Sequence, residues 1–263
     1  NVDDNSCDAE VQKGINICNK NNITFLKNKS RGVQMATQTL IDFINNERPN
    51  CKWIICCQHD VYPLSKNFFI QINQYIENNK LKDFGILGFN MLDYNENSNY
   101  TPNARKLFES GTSPIGILGL CHLSVHNNSK RWLCTTRQPM LVNNIEKWKS
   151  PFIVEFPNWP MIGLNVDLWN KHIIPTTDYE FHLWLPDIAM QFNYHNCPTI
   201  IIPSLYGTSQ QELKSKYNIN VNSATGAIQG DKYHFGKYSN FDAWKSRWGW
   251  DYENVYNTFV LED

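Results

Sequence analysis

The amino-acid sequence predicts an α/β protein with a mostly parallel central sheet and helices on both faces. Segments with helical spacing of apolar residues alternate along the first 90 residues with short apolar runs of strand length. The expected helices cover residues 8–20, 33–44 and 68–76, and the expected strands cover residues 23–26, 53–57 and 84–89. No repeat and no linker-like break is evident, so we expect one domain over residues 1–263.

In the second half of the chain, predicted helices and strands alternate less regularly. Residues 93–150 are rich in Asn, Ser and Thr and are expected to form an irregular excursion, with a short hairpin around residues 117–125. Regular secondary structure is expected to resume at residues 152–156 and 161–169. Beyond these we expect a helix over 186–194, a strand over 199–202, a polar loop over 207–240 and an aromatic helix over 241–250.

Composition excludes several classes of protein. Hydrophobic residues make up 41% of the 263 residues, which is enough for a substantial core and excludes disorder as the main state. The net charge of −1 disfavours a nucleic-acid partner bound through a large basic excess. No apolar run approaches the roughly 20 residues of a membrane span, and the polar start predicts no signal peptide.

The eight cysteines are scattered, without a Cys-x-x-Cys pair. A disulfide framework is typical of short secreted chains, so reduced and mostly buried thiols are expected here. This pattern predicts a cytoplasmic location, with the inner membrane face as an alternative.

Asp60 is the sharpest candidate for chemistry. It follows the apolar run 53–57 directly after Gln58 and His59, and ligands of open α/β sheets bind at the carboxyl ends of strands. A carboxylate there suits Mg²⁺ or Mn²⁺, which in turn would hold a diphosphate. The alternative is that Asp60 caps the turn before Pro63.

Several segments, in order, resemble the nucleotide-sugar glycosyltransferases of the GT-A fold, of the inverting family-two type. Residues 2–6 (Val-Asp-Asp-Asn-Ser) resemble the segment that ends that family's second strand. Residues 28–36 resemble its Asn-x-Gly-x-x-x-Ala helix entry, and Gln58 to Asp60 stand where it has an Asp-x-Asp metal motif. Residues 163–169 resemble its acceptor segment, residues 185–188 its Glu-Asp motif, and residues 241–249 its aromatic-Lys-Trp-Gly ending.

The resemblance implies a role for each matching residue. Asp3 and Asp4 would meet the nucleobase, and Gln58, His59 and Asp60 would complete the donor site with Mn²⁺ or Mg²⁺ held by Asp60. Gly163 and Asn165 would bind the acceptor. The same resemblance divides the chain into a nucleotide-sugar half (1–92), the excursion (93–150) and an acceptor half (151–263).

Three further candidates have an ordinary alternative. Arg31 enters a helix and suits phosphate, or it simply faces solvent. Trp159, between prolines, suits stacking on an acceptor sugar, or it packs in the core. His234, in the late polar loop, is a candidate metal ligand or diphosphate contact, or an ordinary surface histidine.

Asp187 is the candidate general base. An inverting transfer needs one base to deprotonate the acceptor hydroxyl, and the resemblance puts Asp187 in that role. The alternative is an acidic residue in the first turn of a helix, where the helix dipole favours it.

The expected function is therefore transfer of a sugar, with inversion, from a nucleotide-diphosphate sugar to a glycan or lipid-linked acceptor, as in polysaccharide biosynthesis. The alternative is a degenerate domain that binds a nucleotide or glycan without turnover. Two departures from the family favour that alternative. Gln58 stands in place of the first metal-binding aspartate, and no family strand comes before Val2 in this sequence. A dinucleotide-dependent enzyme is disfavoured because no Gly-x-Gly-x-x-Gly follows a predicted strand.

Overall fold

The computed structural model describes most of the helices and the central sheet. The described residues are 1–4, 6–57, 61–63, 67–79, 81–92, 116–117, 121–127, 130–135, 140–141, 151–154, 156–157, 161–179, 183–209, 237–249 and 254–255.

The described residues include six α-helices and one 3₁₀ turn. In chain order the α-helices are α1 (Asp8–Lys20), α2 (Val33–Glu47), α3 (Phe68–Asn79), α4 (Val166–His172), α5 (Trp184–Tyr194) and α6 (Lys237–Trp248), with a 3₁₀ turn at Leu81–Asp83.

The strands are short, apart from one. They are β1 (Val2–Asp3), β2 (Leu26–Lys27), β3 (Trp53–Cys57), β4 (Val61–Pro63), β5 (Ile86–Leu92), β6 (Gly116–Ile117), β7 (Cys121–Asn127), β8 (Lys130–Thr135), β9 (Met140–Leu141), β10 (Phe152–Val154), β11 (Phe156–Pro157), β12 (Met161–Asn165), β13 (Thr199–Ser209) and β14 (Asn254–Val255).

The largest sheet is mixed, so the prediction of a mostly parallel sheet is wrong, although the mixed α/β class is confirmed. Its strand order is β10-β13-β5-β12-β3, with β4 paired to β13. Only β13 and β5 pair in parallel among its described strands. The reversal arises because β12 enters the sheet beside the carboxyl end of β3, where Met161 pairs with Cys57, and must then run backwards between β3 and β5.

The sequence predicts residues 53–57 as a central strand of the sheet; the strand is confirmed, but not its central position. Among the described strands of this sheet, β3 stands at one end of the order. Ile54 is nevertheless buried, because helices cover the face that it points towards.

Helices lie on both faces of the large sheet, as predicted. Ile54, Ile86 and Ile162 point to one face and join a core cluster with residues of α2, α4, α5 and α6. Leu87 and Met161 point to the other face and cluster with residues of α3. Neighbouring residues of a strand therefore pack into the clusters on opposite faces of the sheet, as the two-residue period of a strand requires.

Smaller sheets complete the described structure. β1 and β2 pair in parallel. β7 and β8 form an antiparallel hairpin, which confirms a hairpin within 93–150 but places it further along the chain than expected. In that sheet the order is β11-β7-β8-β14, and β6 pairs with β9.

Most predicted helices are confirmed within a few residues: α1, α2, α3 and α5. β2 comes three residues later than the expected start at Ile23. The predicted loop over 207–240 is wrong at both ends, since β13 continues to Ser209 and α6 begins at Lys237, while 210–236 lie outside the described residues. The single domain stays a prediction. Within the described ranges, no helix is both long and apolar enough to cross a membrane.

Candidate functional site

The carboxyl ends of β1 and β2 lie side by side at one edge of the structure. Their parallel pairing sets Asp3 opposite Lys27, and the backbone N–H of Asn28 donates to the carbonyl of Asp3 at 2.9 Å. The two chain segments that leave these strands, carrying Asp4 and Asn28, are therefore neighbours. We call this place, made by Asp3, Asp4, Asn28, Arg31 and Gly32, the donor edge.

Asp4 organises the donor edge through one carboxylate oxygen. Its Oδ1 accepts from Asn28 Nδ2 at 2.9 Å and from the backbone N–H of Gly32 at 2.9 Å. Asn28 is only 5% exposed, and its own Oδ1 accepts from Thr39 Oγ1 at 3.0 Å. A buried amide thus fixes the position of a carboxylate that is itself exposed.

The chemistry of the donor edge suits a ligand that donates hydrogen bonds. Asp3 is half-buried and Asp4 exposed, and carboxylates accept from groups such as base N–H and ribose hydroxyls. Arg31 is exposed just before α2 begins, where the guanidinium and the positive end of the helix dipole both favour anions. The hydrogen bond from Gly32 to Asp4 places the backbone next to Arg31 beside Asp4. Donor binding by Asp3, Asp4 and Arg31 stays a prediction.

Gly32 allows the close approach to Asp4. It precedes α2 with φ of 114°, a backbone conformation that residues with a side chain rarely adopt. Its N–H donates to Asp4 Oδ1 at 2.9 Å.

Asp187 lies in the first turn of α5 and has no exposed surface. Its Oδ1 accepts from Trp248 Nε1 at 2.9 Å and faces Arg247 Nε at 3.3 Å. Its Oδ2 accepts from Gln34 Nε2 at 2.9 Å and from Gln191 Nε2 at 3.0 Å. We call these five residues the Asp187 cluster.

The Asp187 cluster surrounds the carboxylate with donors. The carboxylate accepts three hydrogen bonds, from Trp248, Gln34 and Gln191, and forms an ion pair with Arg247. An acceptor hydroxyl would have to compete with these four N–H groups for the carboxylate oxygens. Burial raises the pKa of Asp187, while the Arg247 guanidinium and the Gln34, Trp248 and Gln191 donors act to lower it.

The geometry of the cluster favours a structural role for Asp187. Its catalytic role stays a prediction, since Asp60, which should face the same cleft, lies outside the described residues.

Tyr179 packs near the cluster and is fully buried. Burial raises the pKa of its phenol, and the nearby Asp187 carboxylate raises it further. Tyr179 therefore stays neutral and adds no charge beside Asp187.

Gly163 and Asn165 lie in β12, in the interior. A Cβ at Gly163 would come within 3.0 Å of Leu87 Cβ. Asn165 is 4% exposed; it accepts from Leu168 N at 3.1 Å and donates to the carbonyls of Lys82 and Phe84, each at 3.2 Å. The hydrogen bond from Leu168 makes Asn165 the N-cap of α4, and the other two tie it to the chain around Lys82 and Phe84. Acceptor binding by either residue stays a prediction that this geometry does not favour.

The remaining predicted site residues lie outside the described ranges: Gln58, His59, Asp60, Trp159 and His234. The described chain reaches Cys57, the residue directly before Gln58. Among the described residues, no group of three or more His, Cys, Asp and Glu side chains is arranged to hold a metal ion. A site for Mn²⁺ or Mg²⁺ therefore stays a prediction that depends on Asp60.

The partners of Asp187 are the residues that sequence reasoning missed. Gln34 and Gln191 are amides on buried helix faces, and this polar residue type in an apolar stripe is a signal that a buried charge needs donors. Arg247 and Trp248 belong to the segment that resembles the family's ending, but nothing in the sequence indicates which carboxylate they contact.

Comparison with known proteins adds little to this description. No protein-family model matches the chain, and no curated protein matches it. Seventeen chains of solved structures do match. One of them, titled "Crystal Structure of A197 from STIV", is 12% identical, covers 78% of this chain and 81% of its own, and has a TM-score of 0.37. A likeness at this TM-score carries no argument about fold or function.

Proposed function

We propose that this chain binds a nucleotide-diphosphate sugar at the donor edge and transfers the sugar, with inversion, to a glycan or lipid-linked acceptor. The observation that carries the proposal is the pair of hydrogen bonds by which Asn28 and Gly32 hold the Asp4 carboxylate beside the start of α2. The sequence resemblance to family-two glycosyltransferases supplies the reaction class.

The donor edge offers the two chemistries that a nucleotide needs. Asp3 and Asp4 accept from base or ribose donors, and Arg31 with the first turn of α2 suits the diphosphate. The strand ends and the helix start bring these groups within one short region. In this proposal Asp60 would hold a divalent cation, which supplies charge to neutralise the diphosphate when it is bound.

A second candidate function is nucleotide or glycan binding without turnover. The three hydrogen bonds and the ion pair around Asp187 favour it, because an acceptor hydroxyl would have to compete with them for the expected general base. The two candidates share the donor edge and differ only in whether a bond is broken.

Calorimetric titration of nucleoside diphosphates and nucleotide sugars, with and without Mn²⁺, tests the shared part. We expect a nucleotide to bind the wild type, and Asp4→Ala to weaken that binding about tenfold or more, because a charged hydrogen-bond acceptor is lost. Asp8→Ala is the matched control: Asp8 is also exposed and acidic, but it begins α1, and its loss should leave affinity unchanged.

The outcomes separate the candidates. Absence of nucleotide binding by the wild type, or equal affinity in Asp4→Ala, contradicts the proposal. Binding accompanied by release of nucleoside diphosphate from a nucleotide sugar supports transfer, whereas binding without release under any acceptor tested supports the second candidate.

A further inference from the structure

The first turn of α2 is attached to two different parts of the protein. At its start, Gly32 N donates to Asp4 of the donor edge at 2.9 Å. Two residues later, Gln34 Nε2 donates to Asp187 Oδ2 at 2.9 Å. The same helical turn therefore touches both the donor edge and the Asp187 cluster.

Gln34 is locked in one orientation. Its Nε2 also donates to the carbonyl of Trp184 at 3.0 Å, and its Oε1 accepts from the backbone N–H of Thr176 at 2.9 Å. Since both amide hydrogens and the amide oxygen are used, the side chain cannot rotate without leaving a buried polar group unpaired. Gln34 is fully buried, so water cannot replace a lost partner.

α6 reaches the same carboxylate from the other side. Trp248 donates to Asp187 Oδ1, and Arg247 faces that oxygen while donating from Nη2 to the carbonyl of Ile174 at 2.9 Å. If α6 shifts, Oδ1 loses both donors, and a buried charge with half its donors missing is costly. The carboxylate is then held only by its partners at Oδ2, and the position of one of them, Gln34, changes with it.

We infer that Gln34 is a positioning residue that couples the docking of α6 to the geometry of the donor edge. A movement of α6 reaches the Gly32–Asp4 hydrogen bond through Asp187 and Gln34, and an occupant of the donor edge acts on α6 by the same route, since coupling is reciprocal. The catalytic meaning of this coupling rests on the proposed function, but the coupling itself exists in the ligand-free chain.

The test measures amide hydrogen exchange at Gly32 and Ala36 by NMR in the ligand-free protein. Trp248→Phe keeps an aromatic ring and removes the donor to Asp187. We expect it to speed exchange at Gly32 roughly 2- to 30-fold, the range for variants along a coupled network. An unchanged exchange rate in this single variant overturns the inference.

A double-mutant cycle then asks whether Gln34 carries the effect. In a Gln34→Met background, Trp248→Phe should change exchange at Gly32 by less than about twofold. Gln191→Met is the matched control: Gln191 also donates to Asp187 Oδ2, its own oxygen accepts from Ile174 N at 2.8 Å, and it lies on α5, not α2. In the Gln191→Met background, Trp248→Phe should still speed exchange at Gly32 by its full factor. The opposite pattern, or equal effects in both backgrounds, overturns the inference.

Nucleotide titration of the same variants separates this inference from the proposed function. If the wild type binds no nucleotide but the exchange pattern holds, the proposed function fails and the coupling stands. If a nucleotide binds and Trp248→Phe leaves exchange at Gly32 unchanged, the coupling fails alone. If both hold, Trp248→Phe should weaken nucleotide affinity roughly 2- to 30-fold, but not in the Gln34→Met background.

Discussion

Trp248 donates its indole N–H to the Asp187 carboxylate at 2.9 Å, across 61 positions of sequence. The last residue of α6 is thereby joined to the first turn of α5. Because Trp244, one turn earlier, is fully buried, α6 is held by apolar and polar contacts at once. The charge state of Asp187 and the docking of α6 are therefore linked.

Replacement of Asp187 by Asn tests whether the carboxylate serves the fold or the chemistry. An amide must direct its NH₂ group at one pair of donors, so we expect Asp187→Asn to lower the free energy of unfolding by about 3 kcal/mol. Urea unfolding measures this loss. Asp167→Asn is the control, since Asp167 lies in the first turn of α4 in an exposed pair with Lys52, and its loss should cost at most about 1 kcal/mol.

The contrary outcome is equally specific. If Asp187→Asn keeps the stability and the nucleotide affinity of the wild type but loses most transfer, the general-base role predicted from the sequence is supported. Retained transfer would place the base elsewhere, with Asp178 the next carboxylate to replace.

The pH dependence of stability follows from the direction of the pKa shift. Burial raises the pKa of Asp187 in the folded protein above its unfolded value of about 3.9. Between these two values the folded protein keeps a proton that the unfolded chain has released. The contribution of Asp187 to the free energy of unfolding is therefore greatest at acid pH, falls as the pH rises through this window, and is constant above the folded pKa.

Urea unfolding of the wild type and Asp187→Asn, from about pH 4 to about pH 8, isolates that contribution because other groups cancel in the difference. We expect the advantage of the wild type to shrink as the pH rises. A growing advantage would mean that the four donors outweigh burial and that the folded pKa lies below the unfolded one.

The sequence predicts those elements that depend on local spacing. Helical periodicity places α1, α2 and α3 within a few residues, and the apolar run 53–57 gives β3. The direction of β12 is not local: it depends on the point where the chain returns to the sheet beside Cys57, which no periodicity encodes. Hence the mixed α/β class could be predicted and the sheet pairing could not.

The candidate site shows the same limit. Asp3 ends β1 and Asp4 follows it, while Asn28 follows β2. The sequence suggests a shared role for Asp3 and Asp4 only through the family resemblance. The donors of Asp187 come from residues up to 153 positions away. A single sequence indicates that a buried carboxylate needs donors, but not which side chains provide them.

Asn165 gives a test of the predicted acceptor segment. Asn165→Ala removes the cap of α4 and leaves the carbonyls of Lys82 and Phe84 without their donor, so we expect a loss of about 1–3 kcal/mol in the free energy of unfolding. Asn165→Ser keeps a capping oxygen without adding a charge and loses the amide donors, and should retain part of that stability. If instead both variants keep the stability of the wild type and weaken acceptor binding, the predicted acceptor role is supported over the structural one.

Gly32 links the backbone of α2 to the donor edge and can be tested against another glycine with a positive φ. Gly32→Ala places a side chain at φ of 114°, which should cost about 1–3 kcal/mol of stability and displace the N–H that Asp4 accepts. Gly249→Ala places a side chain at φ of 75°, just past α6; among the described residues other than its chain neighbours, no atom lies within 4 Å of the added Cβ. Both variants should therefore lower the midpoint of thermal unfolding because of backbone strain.

Only Gly32→Ala should also weaken nucleotide binding, by about tenfold if one hydrogen bond to a charged group is lost. Equal nucleotide affinity in the two variants, measured by calorimetry on folded protein, would mean that the Gly32–Asp4 hydrogen bond does not shape the nucleotide site.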